Sequence, residues 1–250
     1  NFALSKTYEI ILSEDTKLFA YIYSKMNQLL VCSFLLAIAS SYASVVPAPS
    51  YVVSVQGDDD GAIICGGVLI DERFVLTTAQ CLAFYNPERL VVSVNDGAQI
   101  IKLTSYTFNP RFDFVTMEDN IGLLRLAEPA NANVIEVAEQ QPKTGASGVA
   151  YSWGANHKIG SVDVELVSTS DCASGEYGWS EDEIYNTMVC GLVKNNKSCV
   201  PRFGNPVVSN NKLVGLTSWG GCGTNGKSAV FTDVPSLRSW IDSALKKLEQ

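Results

Sequence analysis

Serine and histidine side chains could carry nucleophilic chemistry in this chain, which contains a single histidine, His157. A serine hydroxyl becomes an effective nucleophile only when a neighbouring base takes its proton, and histidine is the usual base. His157 follows Ser152–Gly154 in a predicted loop, and no nucleophile is identifiable beside it. Ser198 and Ser218 are hydroxyls without a recognisable base. We therefore expect His157 to be a solvated side chain rather than a catalytic base.

Seven cysteines are the other reactive residues. The ligand count argues against a metal site, because no Cys-x-x-Cys occurs and there is only one histidine; no cofactor is expected either. Cys32 lies in an apolar run, which leaves six cysteines, and an even set in a secreted chain is typical of disulfides. Three local pairs are possible: Cys65–Cys81, Cys172–Cys190 and Cys199–Cys222.

An apolar run from Leu29 to Ala39 follows the first methionine, Met26, and ends in small residues. About eleven apolar residues are too few to span a bilayer but suit the core of a secretory signal peptide. We predict upstream or fragment sequence at 1–25, a signal peptide at 26–43 and a secreted, extracellular mature chain at 44–250, not held in a membrane after cleavage.

Composition narrows the classes of partner. The 250 residues carry a formal net charge of −8, and 46% of them are hydrophobic. The apolar content indicates a packed globular chain. The acidic balance argues against a basic groove for nucleic acid and against electrostatic docking to anionic lipid.

The mature chain contains two sets of short segments rich in β-branched and aromatic residues, which predict strands. The first set is Tyr51–Val55, Ala62–Ile64, Gly67–Ile70, Arg73–Thr77 and Leu90–Val94. The second set is Gly148–Ser152, Ser161–Ser168, Met188–Gly191, Pro206–Ser209, Lys212–Trp219 and Ala229–Thr232. A polar, turn-rich segment at 139–145 separates them as a plausible linker. After Pro235, apolar residues recur at helical spacing, which predicts one docked amphipathic helix.

Five motifs occur in the order found in the trypsin/chymotrypsin family of serine proteases. They resemble that family's Cys-Gly-Gly, Thr-Ala-Ala-His-Cys, Asn-Asp-Ile-Ala-Leu-Leu, Gly-Trp-Gly and Ser-Trp-Gly segments. The matching segments are Cys65–Ile70, Val75–Cys81, Asp119–Leu126, Ser152–Gly154 and Ser218–Gly220, and Trp240–Ile241 fits the family's closing residues. The resemblance implies an all-β fold of two antiparallel six-stranded barrels, at about 44–138 and 143–234, with a C-terminal α-helix at about 236–249.

The three catalytic positions that the resemblance identifies are all changed. The family's nucleophile segment reads Cys-x-Gly-Asp-Ser-Gly-Gly-Pro, whereas here 199–206 reads Cys-Val-Pro-Arg-Phe-Gly-Asn-Pro. Phe203 therefore replaces the serine, Gln80 the histidine and Asn120 the aspartate. Phenylalanine has no nucleophilic atom, a glutamine amide is no general base, and asparagine has no charge to stabilise a cation. Asp119 is one residue away, but on an extended chain it points to the opposite face.

Two supporting positions are changed as well. The family's oxyanion hole uses the N–H of a glycine that corresponds to Pro201, which has none. Losing one such donor typically lowers the rate about 100- to 1,000-fold. The aspartate that pairs with a new N-terminal amine on activation corresponds to Arg202, which would repel that amine. We therefore expect no activation cleavage and no catalytic residue.

The specificity pocket that the resemblance implies has an altered floor and an expected plug. Lys197 corresponds to the floor, Ser218, Trp219 and Gly220 form the wall, and Ala229 replaces a wall glycine. A cationic floor would favour an acidic side chain. We expect Phe203 to fill the cleft, since a buried aromatic side chain gains free energy in apolar space. A glycosylation sequon at 196–198 adjoins the pocket.

The combined losses suggest a catalytically inactive homologue that acts by binding proteins. Gln80 together with the other changed positions resembles the inactivated protease paralogues of parasitic mites, relatives of the group 3 mite allergens. That resemblance implies a monomer that interferes with host defence proteolysis such as complement. Two alternatives remain: an active serine endopeptidase, and a decoy that shields protease substrates.

Overall fold

A computed structural model describes residues 48–153, 158–193, 202–220 and 227–249, together with Lys25. The predicted signal segment at 26–43 lies outside the described residues. So do four segments or positions that the sequence singled out: His157, the glycosylation sequon, the 197–201 segment and Cys222.

Twelve strands within the described residues close into two antiparallel six-stranded barrels, which confirms the predicted fold class. The first barrel contains β1 (Val52–Gly57), β2 (Ile63–Asp71), β3 (Phe74–Thr77), β4 (Leu90–Val94), β5 (Gln99–Phe108) and β6 (Gly122–Leu126). The second contains β7 (Ser147–Trp153), β8 (Ile159–Val167), β9 (Met188–Val193), β10 (Pro206–Ser209), β11 (Lys212–Gly220) and β12 (Ala229–Asp233). The strands follow the orders β1-β2-β3-β6-β5-β4 and β10-β11-β12-β9-β8-β7.

Strand prediction fails in two places in the first barrel. The predicted set lacks β5 and β6. In β5, Ile100 and Tyr106 are exposed on the outer face, so apolar and polar residues do not alternate regularly along this strand. The two short strands predicted at 62–64 and 67–70 are one strand, β2, which continues through Gly66. That glycine is a point of close approach rather than a break, since a Cβ there would lie 2.8 Å from the Cα of Asn205.

Short helices complete the fold. They are α1 (Ala79–Ala83), α2 (Thr169–Cys172) and α3 (Arg238–Glu249), with 3-10 turns at Pro87–Arg89 and Pro235–Leu237. The C-terminal helix α3 docks through Ile241, Ala244 and Leu248, which are buried in a core cluster shared by both barrels, as its amphipathic spacing predicts. Among the described residues, no helix is long and apolar enough to cross a membrane.

Two of the possible cysteine pairs form disulfides in the described residues. Cys65 of β2 is joined to Cys81 of α1, and Cys172 of α2 to Cys190 of β9. The first of these fixes α1 against the first barrel. The third pair lies outside the described residues.

Candidate functional site

Gln80 lies in α1, at the junction of the two barrels. Its side chain is 4% exposed, and its Nε2 donates a hydrogen bond to the carbonyl oxygen of Ser218, 3.0 Å away on β11. Its backbone N–H donates to Oδ1 of Asn120, also at 3.0 Å. The adjacent disulfide at Cys81 holds this short helix in place. The glutamine amide is therefore fixed at the position where the resemblance expects a histidine base.

Asn120 completes a closed network with Gln80 and Ser218. Its Nδ2 donates to the hydroxyl of Ser218 at 2.8 Å, and its carbonyl oxygen accepts from the hydroxyl of Thr232 at 2.8 Å. Asn120 and Ser218 are each 1% exposed. Buried polar groups are stable when their hydrogen bonds are satisfied, as these are. Neither amide ionises near neutral pH, so the three residues, here called the amide network, have no base to accept a proton.

Asp119, the carboxylate next to Asn120 in the chain, is engaged elsewhere. Its backbone has φ of 54°, and its Oδ2 lies 3.1 Å from Nε of Arg111. Its N–H donates to the hydroxyl of Thr187 at 2.9 Å. The carboxylate thus neutralises an arginine and makes no hydrogen bond to Gln80.

The expectation that Phe203 fills the cleft is wrong, because this side chain is 47% exposed. Its backbone is held from both sides: the N–H of Gly66 donates to the carbonyl of Phe203 at 2.8 Å, and the N–H of Gly204 donates to the carbonyl of Thr217 at 2.9 Å. Gly204 has φ of +79°, and a Cβ there would lie 2.4 Å from the carbonyl oxygen of Gly66. These contacts fix the backbone at 203 and 204, and with it the direction in which the side chain of Phe203 leaves the chain.

Arg202, which replaces the activation aspartate, contacts the first barrel. Its Nη1 donates to the carbonyl of Ile63 at 2.6 Å, and its own carbonyl accepts from Nδ2 of Asn205 at 3.0 Å. This arginine is thereby part of the contact between the barrels, where Asn205 is fully buried.

The predicted pocket wall is brought together on β11 and β12, where Gly220 pairs with Ala229. Trp219 lies against Trp179 with ring centroids 4.8 Å apart, edge to face. A Cβ on Gly220 would lie 2.8 Å from the ring of Trp179, so only glycine fits beside that ring. Nζ of Lys227 lies over the same ring, 3.8 Å from its centroid. The wall is thus packed against the ring of Trp179. The predicted floor, Lys197, lies outside the described residues.

Sequence reasoning missed two features of this region. Ser218 was predicted as pocket wall and as a hydroxyl without a base, yet it accepts hydrogen bonds from both amides of the network. Its place in the Ser-Trp-Gly motif was the available signal. Asp233, at the end of β12, is 1% exposed, and its Oδ2 accepts from Nε2 of Gln141 at 2.7 Å. Burial raises the pKa of Asp233 to about 6 against the hydrogen bonds from Gln141 and Ser236, which lower it. No sequence pattern predicts that Asp233 is buried.

A family model for trypsin matches residues 42–241. The chain belongs to the trypsin family. It is 33% identical to a trypsin of Sarcophaga bullata over 74% of this chain and 80% of that one. It is 34% identical to trypsin theta of Drosophila erecta over 82% of this chain and 85% of that one.

Solved structures of the same family share the fold. Kallikrein-related peptidase 10 superposes with a TM-score of 0.67 at 26% identity, covering 80% of this chain and 97% of that one. Neuropsin, a serine protease of mouse brain, gives a TM-score of 0.69 at 25% identity, over 79% of this chain and 95% of that one. The two-barrel fold is therefore that of trypsin-family proteases.

Proposed function

We infer that this chain is a proteolytically inactive member of the trypsin family that acts by binding another protein. The amide network is the observation that carries this proposal. Gln80 lies where the resemblance expects the general base, and its side-chain amide donates to the carbonyl oxygen of Ser218, while its backbone N–H donates to Asn120. Neutral side-chain amides neither accept a proton near neutral pH nor carry a charge that stabilises a cation.

The position of the nucleophile supports the same proposal. Phe203 carries no hydroxyl or thiol, and its exposed ring leaves nothing that could attack a carbonyl. Pro201, in the sequence, removes one backbone donor of the oxyanion hole. Catalysis would thus lack nucleophile, base and part of its electrostatic stabilisation.

The names of the relatives favour an alternative, an active endopeptidase, because the fly proteins are called trypsins. The two functions are separated by incubating the purified protein with an unbiased peptide library and reading cleavage by mass spectrometry, from mildly acidic to alkaline pH. We expect no cleavage above that of a Gln80→Ala control, which lacks the side-chain amide at position 80. Cleavage that disappears in Gln80→Ala would contradict inactivity, whereas a contaminating protease would act equally in both samples.

We further propose that the bound protein belongs to host defence proteolysis, such as the complement cascade, in which this chain would interfere as a secreted monomer. The support is the resemblance of Gln80 and its accompanying losses to inactivated protease paralogues. A complement assay with the purified protein, combined with pull-down from serum, tests this version. No inhibition and no bound serum protein would contradict it.

A decoy that shields protease substrates is the other binding function. It would use the remaining pocket wall, so it predicts competitive protection of a substrate that is lost in Trp219→Ala. Protection that persists in this variant would argue against the decoy.

A further inference from the structure

Large apolar side chains are exposed together on two connecting segments of the first barrel. Phe84 follows α1 and is 66% exposed, while Phe114 and the 92% exposed Val115 lie between β5 and β6. The rings of Phe84 and Phe114 are 5.1 Å apart between centroids, and those of Phe112 and Phe114 are 4.7 Å apart. We call Phe84, Tyr85, Phe112, Phe114 and Val115 the aromatic strip. It contains half of the exposed large hydrophobic side chains of the described residues.

The backbone beneath the aromatic strip is held in one conformation by its own hydrogen bonds. Oδ1 of Asp113 accepts from the N–H groups of Val115 and Thr116 at 2.7 and 2.9 Å, and the N–H of Met117 donates to the carbonyl of Asp113 at 2.8 Å. This turn presents Phe114 and Val115 to solvent. A partner would therefore meet a preformed surface and lose little free energy in ordering it.

Carboxylates lie at both ends of the aromatic strip and in its middle. Tyr85 lines a groove of about 210 Å³ with the acidic turn at Asp58–Asp60, and Val115 lines a hollow of about 480 Å³ with Asp182. Asp113 stands between Phe112 and Phe114. The ion pairs found among the described residues leave out Asp60, Asp113 and Asp182.

Hydrogen bonds favour the ionised form of two of these carboxylates, Asp113 and Asp182. Backbone N–H donation, first from Thr116 and then from Val115, lowers the pKa of Asp113 below its ordinary value. The hydroxyl of Ser180 lowers the pKa of Asp182 in the same way. Asp60, Asp113 and Asp182 thus border the apolar surface without an ion pair among the described residues, whereas Asp58 and Asp59 of the same turn pair with Lys102 and Arg89.

We propose that the aromatic strip docks a protein segment in which apolar side chains alternate with arginine or lysine. Contiguous exposed apolar surface rimmed by polar groups marks interaction sites. Arginine and lysine are attracted to the faces of aromatic rings and to carboxylates, so a basic segment matches both components. The proposal rests on the proposed function, because it names the surface and the partner chemistry of a binding protein.

The negative charge around the aromatic strip also argues against two other binding partners. A second copy of this chain would bring the same carboxylates together, which like-charge repulsion opposes. An anionic lipid surface would be repelled for the same reason, and the net charge of −8 adds to both effects.

The test measures binding of a labelled synthetic peptide, Arg-Phe-Arg-Leu-Arg-Phe-Arg, by fluorescence anisotropy, against a peptide in which glutamate replaces arginine. The first variant is Phe84→Ser/Phe114→Ser. Its matched control, Ile100→Ser/Val134→Ser, removes side chains that are 51% and 49% exposed elsewhere on the surface. A second variant, Asp60→Asn/Asp182→Asn, keeps the rings and removes charge at the two ends.

We expect the basic peptide to bind and the acidic peptide not to bind. The phenylalanine variant should weaken binding at least about thirty-fold, the lower limit of a hot-spot loss, and the control should leave it unchanged. The aspartate variant should weaken binding at low salt and reduce its salt dependence, since screening acts on the charges that it lacks.

Equal affinity in wild type and Phe84→Ser/Phe114→Ser, or absence of binding, would overturn the aromatic strip as the docking surface. A dimer in sedimentation that the phenylalanine variant dissociates would overturn the basic occupant in favour of a second copy. Mass spectrometry of the peptide after incubation distinguishes the two proposals. An intact but unbound peptide refutes the aromatic strip alone, whereas a peptide cleaved by wild type but not by Gln80→Ala refutes the proposed function.

Discussion

The buried carboxyl of Asp233 makes stability depend on pH in a direction opposite to that of most acidic residues. One of its oxygens accepts from Gln141, and the other is buried without a hydrogen-bond partner among the described residues. Burial raises its pKa from 3.8 to about 6 in the folded chain. The folded chain therefore binds more protons than the unfolded chain between these two values.

The sign and the size of the effect follow from this difference. The contribution of this carboxyl to the free energy of unfolding is largest below 3.8, its pKa in the unfolded chain. This contribution is lost as the pH rises through about 6, its pKa in the folded chain. The gap of about two pKa units corresponds to about 3 kcal/mol. Asp233→Asn removes the ionisation and keeps an oxygen to accept from Gln141. We therefore expect this variant to gain about 3 kcal/mol relative to wild type between about pH 4 and about pH 7.

Urea denaturation of wild type and Asp233→Asn at the two pH values measures this gain. An asparagine amide without an acceptor adds a cost that does not depend on pH, so the difference between the two pH values, not the absolute stability, is the relevant quantity. Asp96→Asn, which replaces an exposed carboxyl in the turn between β4 and β5, controls for the loss of one charge. A difference between wild type and Asp233→Asn that is the same at both pH values would refute the reasoning.

Three further substitutions test the junction between the barrels. Ser218→Ala should cost about 1 to 3 kcal/mol in urea denaturation, because Nδ2 of Asn120 loses its buried acceptor; an unchanged midpoint would contradict the amide network. Gly66→Ala should lower stability by about 1 to 3 kcal/mol in thermal denaturation, since its Cβ would lie 2.8 Å from the Cα of Asn205; a neutral effect would contradict the close approach. Phe203→Ala should cost less than about 1 kcal/mol because the ring is half exposed, and a loss of about 3 kcal/mol or more would indicate a buried ring.

The fold was largely predictable, because it depends on patterns that are local in the sequence. Strand β4, the strands of the second barrel and the helix α3 are visible as alternation and as helical spacing, and the motifs supply the order of the barrels. Strand β5 was missed because Ile100 and Tyr106 point to solvent on its outer face. Burial on one face of a strand is a property of the closed barrel, and a mixed sequence does not reveal it.

The site was predictable in its positions but not in its contacts. The motifs placed Gln80, Asn120 and Phe203, yet the closed network through Ser218 joins residues about 100 positions apart or more in the chain. Phe203 was expected to be buried in the cleft, yet its side chain is 47% exposed, because long-range backbone hydrogen bonds hold residues 203 and 204 in place. Long-range geometry of this kind is invisible to local sequence patterns.

The absence of an activated nucleophile is the central claim, and reaction with a fluorophosphonate tests it most directly. Such a reagent phosphonylates a serine only when a neighbouring base makes its hydroxyl reactive. The intact mass of the protein after incubation should be unchanged, while an active trypsin treated in parallel should gain the adduct. A stoichiometric adduct on any serine of this chain, lost in Gln80→Ala, would contradict the claim.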